Sequence, residues 1–187
     1  MHDWPGRARA EASRQWPALR ETIDRVARLD VFEGVIALGS FADGEPDELS
    51  DVDLLAVTAP GRFEDAWAAR ERLVGDVLAT WESHGGPDRE LRWFKWLTRD
   101  LVKVECGIAA PGSRELAEPV VVLLGPPSLA HRFGRVERAT LEARAARRRK
   151  EQETFDPAEM TPGERVDWKL SELKQAVRAS RPPRATS

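Results

Sequence analysis

The stretch Val35 to Val57, VIALGSFADGEPDELSDVDLLAV, decides how this chain is read. It runs as a short apolar segment, a Gly39-Ser40 pair, a polar loop, and then Asp51-Val52-Asp53 opening a second apolar segment. Side chains alternate along a strand, so aspartates two residues apart project from one face. Val52 and Leu54 then turn the other way, into a core. Two carboxylates side by side at a sheet edge repel each other unless a cation neutralises them. Mg²⁺ prefers hard oxygen ligands and is held by one or two carboxylates together with substrate phosphates. Gly39-Ser40 suits the other half of such a site. A glycine lets a phosphate approach the backbone, a hydroxyl and amides hold it, and a helix beginning there would favour the anion further.

Working outward, residues 13–29 carry Trp16, Leu19, Ile23, Val26 and Leu29 at helical spacing, with Pro17 in the first turn where its missing N–H costs little. Strands are expected at 33–38 and 52–58, the second ended by Pro60-Gly61. Phe63 to Trp81 reads as a helix, with Phe63, Trp67, Leu73, Val74, Val77, Leu78 and Trp81 on its buried side, and SHGGPD breaks the chain at 83–88. Residues 90–97 and 101–108 read as two strands joined by a turn near Arg99-Asp100. In the second of them Val102, Val104 and Cys106 face one side, Lys103 and Glu105 the other. VVVLLG at 120–125 reads as a last short buried strand. Ser128 is expected to cap a long polar helix reaching Lys150, and a final helix follows at about 163–179. The tail SRPPRATS is expected to be disordered, and no internal repeat is visible.

The ordered combination of strand, Gly-Ser, about ten residues and Asp-x-Asp on the next strand resembles the nucleotidyltransferase superfamily that includes DNA polymerase beta. Within it, FADGEPDELSD is most similar to small bacterial nucleotidyltransferases, among them the antibiotic-modifying adenylyltransferases. The resemblance covers about 25 residues. It implies an α+β fold: a small mixed β-sheet flanked by helices, residues 1–127, followed by a helical C-terminal segment, residues 128–187. It also implies Mg²⁺-dependent transfer of a nucleoside monophosphate, AMP from ATP, to a hydroxyl of a small molecule such as an aminoglycoside or lincosamide. Asp51 and Asp53 would be the metal ligands and catalytic carboxylates, and Gly39 and Ser40 the triphosphate contacts. This superfamily usually adds a third carboxylate on a neighbouring strand. Glu105 is the candidate, as a third ligand or as a general base; the competing reading is a surface carboxylate paired with Lys103 or Arg99.

Two other readings stay open. The resemblance extends to minimal nucleotidyltransferase antitoxins, which act on or mask a protein partner but are generally shorter than this chain. An inactive nucleotide-binding protein is the third, and it turns on whether Glu105 completes the site. Glu45, Asp47, Glu48 and Glu90 could form an acidic wall for a cationic acceptor, although loop acids are usually only solvated. Lys95 and Lys103 are read as strand residues facing solvent rather than phosphate contacts. Trp93 and Trp96, three apart, are expected on opposite faces. His84 and His131 lack metal-ligand spacing and are given no catalytic role.

Composition narrows the setting. A 41% apolar fraction with seven Trp and six Phe suffices for a core. A single cysteine, Cys106, excludes an internal disulfide framework and suits a reducing cytoplasm. No apolar run approaches the ~20 residues of a membrane span, so no membrane association is expected. A net charge of -3 argues against a general nucleic-acid binder. The local exception is residues 132–150, with eight basic side chains against two acidic, expected to form a solvated helix. The C-terminal helices are compatible with a monomer or a homodimer.

Overall fold

The computed structural model describes residues 6–84, 90–141, 143–144, 146 and 160–180. In chain order these form α1 (Arg7–Glu11), α2 (Trp16–Val26), β1 (Phe32–Ala37), α3 (Gly39–Asp43), β2 (Val52–Thr58), α4 (Phe63–Ala68) and a 3-10 turn at Arg70–Leu73. Next come β3 (Val77–His84), β4 (Leu91–Thr98), β5 (Lys103–Ala109), β6 (Glu115–Leu116), β7 (Val121–Leu124), a 3-10 segment at Pro127–Arg132, β8 (Gly134–Arg135) and α5 (Pro162–Ala179). The chain divides into two compact units, residues 1–146 and 147–187.

The first unit is α+β, built on a mixed six-stranded sheet in the order β3-β4-β5-β2-β1-β7. β2 and β5 are parallel and every other neighbouring pair is antiparallel. One face of the sheet carries the main core. Val52, Leu54 and Ala56 of β2 and Val104, Cys106 and Ile108 of β5 meet Leu19, Ile23 and Val26 of α2 and Phe63 and Ala66 of α4. Each large aliphatic side chain buried in this way contributes about 1.5–3 kcal/mol. The opposite face carries a smaller apolar cluster that includes Ile36, Leu55, Val57, Ala109, Leu129 and Phe133.

Two expected elements differ. The helix over 63–81 ends at Ala68, and Val77–His84 is instead the edge strand beside β4. Val74, Val77, Leu78 and Trp81 fit a helical period. Pairing with β4 nevertheless selects the two-residue period, which buries Trp81 and leaves Leu78 half exposed. The long helix from Ser128 is replaced by the 3-10 segment and by β8, which pairs with β6; helical turns begin only at residue 138. The reason is burial: Leu129 and Phe133 sink into the second cluster, and the chain is already extended at Phe133 before it enters β8. The core of the first unit therefore continues past residue 127. Residues 147–159 and 181–187, on which parts of the basic stretch and of the tail fall, lie outside the described residues.

In the second unit α5 opens with a capping box. The Thr161 hydroxyl accepts from the Glu164 amide and the Glu164 carboxylate accepts from the Thr161 amide, with Pro162 in the first turn. None of its residues is fully buried. Among the described residues no helix is long and apolar enough to cross a membrane.

Candidate functional site

Parallel pairing of β2 with β5 sets Asp53 directly opposite Glu105. Antiparallel pairing of β4 with β5 sets Lys95 opposite Glu105, and Trp81 of β3 is opposite Lys95. The four form one row across four neighbouring strands. Asp51, just before β2, and Lys103, at the start of β5, stand two residues earlier on the same face. Lys103 Nζ lies 3.4 Å from Asp51 Oδ2 and also pairs with Glu105. Lys95 Nζ lies 3.3 Å from Glu105 Oε2. Three carboxylates are thus set against two ammoniums in one cluster.

The lysines correct the expectation that they face solvent. The Lys103 side chain is only 9% exposed and that of Lys95 12%, against 21% for both Asp51 and Glu105. A buried ammonium is tolerated only when paired, and the carboxylates here supply the pairing. Glu105 does pair with Lys103, but Arg99 does not join it: Arg99 pairs with Asp76 and holds that carboxyl below its ordinary range.

On the other side of Asp53 stands Gly39, the first residue of α3. Its φ is +56°, and a methyl group built on it would lie 2.8 Å from Asp53 Oδ2. The left-handed backbone favours glycine, and a methyl group here would push against the Asp53 carboxylate. Gly39→Ala is expected to lose about 1–3 kcal/mol of stability from backbone strain and the displaced carboxylate, read as a lowered urea midpoint. Ser40 follows, partly buried, its carbonyl accepting from the Glu45 amide.

The loop between Ser40 and Asp51 is held from within. Asp47 accepts from the Leu49 amide and the Ser50 hydroxyl, while buried Gln15 donates to the carbonyls of Asp47 and Ser50. Asp47 is therefore a turn-forming residue, not the solvated acid expected, and Glu45 faces Arg9 at 3.5 Å. Gln15 went unrecognised in the sequence because nothing local distinguishes it from an exposed helix-flanking glutamine.

The donor chemistry suits a hard divalent cation: all oxygen, with Asp51, Asp53 and Glu105 on one face and in part accessible. As they stand, however, the Lys103 ammonium lies between Asp51 and Glu105. Among the described residues no group of three or more His, Cys, Asp or Glu side chains is gathered closely enough to hold a metal ion. Asp51 and Asp53, with Glu105 opposite, are the residues that would hold one.

The remaining candidates fall elsewhere. Trp96 is buried in the main core. Trp93 lies on the site face with the Arg114 guanidinium 5.5 Å from its ring centre. Of the basic stretch expected as one solvated helix, residues 132–137 are not α-helical, helix is present from residue 138, and the described arginines are exposed yet paired. Arg132 pairs with Glu33, Arg135 with Glu118, Arg138 with Asp43 and Arg144 with Glu115. Cys106 is fully buried, and desolvation pushes its thiol up to about 12. Native protein at pH 8 is expected to leave an aromatic disulfide reagent unreacted, with one thiol released on unfolding in guanidinium.

Compared with known proteins, the chain matches no protein-family model and no curated protein.

Proposed function

We propose that the chain is a Mg²⁺-dependent nucleotidyltransferase that moves a nucleoside monophosphate, AMP from ATP, onto a hydroxyl of a small-molecule acceptor. The observation that carries this reading is the setting of Asp53: Glu105 opposite it in register on the neighbouring parallel strand, and Gly39 with a positive φ packed on its carboxylate. Asp51 and Asp53 would hold the cation, whose role when bound is to offset charge on the phosphates. Gly39 and Ser40 give the triphosphate close access to the backbone, and Glu105 is the third carboxylate. Lys103 and Lys95 add positive charge beside these acids. A cytoplasmic setting, rich in nucleoside triphosphates and reducing toward Cys106, goes with this reading.

A second reading, a nucleotide-binding protein without transferase activity, is favoured by one observation: the Lys103 ammonium lies between Asp51 and Glu105. Calorimetric titration with ATP and the other nucleoside triphosphates, with and without Mg²⁺, tests both. Mg²⁺-dependent binding is expected for at least one base, followed by transfer of labelled nucleotide to a hydroxyl acceptor in a screen. Binding without transfer across the screen would favour the second reading, and no binding would overturn both.

A further inference from the structure

We propose that Lys103 is a positioning residue, its ammonium holding the Asp51 and Glu105 carboxylates in place when no divalent cation is bound. The folded state thereby becomes independent of such a cation. This deepens the reading above and rests on the three carboxylates being a cation site. Lys103 Nζ lies 3.4 Å from Asp51 Oδ2 and pairs with Glu105, and its side chain is 9% exposed. A lysine enclosed to that degree gives up most of its hydration, and only fixed negative charge offsets the loss. Lys95 gives Glu105 a second ammonium partner at 3.3 Å, whereas Lys103 is positioned to bridge Glu105 to Asp51 on the adjoining strand. Without it, carboxylates on neighbouring strands would repel each other across a partly water-excluded sheet face.

The consequence is a change in what the protein requires. With Lys103 present, the charge of the cluster is largely balanced internally, and a divalent cation adds little to stability. With Lys103 replaced by an uncharged side chain of similar length, Glu105 keeps Lys95, but the ammonium between Asp51 and Glu105 is lost and the cluster carries more excess negative charge. A divalent cation that binds the folded state alone then stabilises it by mass action. A lysine kept only for packing would not produce that dependence.

The test is thermal unfolding of the full chain, at fixed ionic strength and without nucleotide, in EDTA and in millimolar Mg²⁺ or Mn²⁺. Lys103→Met is expected to lower the Tm by about 5 °C in EDTA. The cation should restore at least about half of that loss while moving wild type by no more than about 1 °C. The variant Lys103→Met/Asp51→Asn, which leaves Glu105 paired with Lys95, should recover most of the Tm in EDTA and lose the response to cation. An unchanged Tm for Lys103→Met overturns the proposal, as does a loss that Mg²⁺ and Mn²⁺ do not restore. Should Lys103→Met fail to fold, the double variant decides: folded and insensitive to cation supports the proposal, and unfolded overturns it. Because no nucleotide is present, a failure here is separate from a failure of ATP to bind in the calorimetric titration.

Discussion

Asp51→Ala/Asp53→Ala should weaken Mg²⁺-dependent ATP binding by at least on the order of 100-fold, a loss of about 2.7 kcal/mol. Both side chains stand on one face at the start of β2, and Asp53 is enclosed between Gly39 and Glu105. Their removal takes away the proposed cation ligands while the apolar side of the strand, Val52, Leu54 and Ala56, stays in the core. Glu105 keeps both lysine partners, so the fold should survive, with circular dichroism unchanged at 25 °C. Calorimetry on wild type and variant checks the prediction. Equal affinity in the two would place the nucleotide elsewhere and remove the basis for the reading.

The largest effect on stability is expected from Phe41→Ala. Phe41 is fully buried in the main core and belongs to α3, the five-residue helix that begins at Gly39. So short a helix has no stability of its own, since isolated helices need about 12–15 residues even to be marginal. Packing of Phe41 is what fixes it. Truncation to alanine should cost about 3–5 kcal/mol and lower the Tm by on the order of 10 °C, measured by denaturant and thermal unfolding. Because Phe41 anchors the turn that carries Gly39 and Ser40, nucleotide affinity should fall in the same variant even where it remains folded. A loss under about 1 kcal/mol would mean that α3 is held by its loop contacts, Gln15 and Asp47 among them, rather than by its apolar side chain.

Much of the fold was legible along the chain. β1, β2, β4, β5, β7, α2 and α5 all lie within a few residues of where apolar patterning and turn residues predict them. The failures share a cause. Val74 to Trp81 fits both a helical and a strand period, and only the availability of β4 as a partner resolves the choice. Leu129 and Phe133 have helical spacing, yet they are drawn into the second core cluster, with Gly134 following. The arginines from 132 to 144 read as a solvated run, while their partners Glu33, Glu118, Asp43 and Glu115 are scattered through the chain. Being exposed, such pairs are worth little each, so no local signal marks them.

Alternation within a strand is a property of the backbone. The sequence by itself therefore determined that Asp51 and Asp53 share a face, that Lys103 and Glu105 share a face, and that Cys106 is turned into the core. Which strands become neighbours depends on contacts between distant segments, and in a parallel pair no hairpin links the two registers. Only the tertiary structure decided that β5 lies beside β2 with Glu105 opposite Asp53. It alone decided that two lysines with an ordinary exposed pattern are enclosed among the acids that neutralise them.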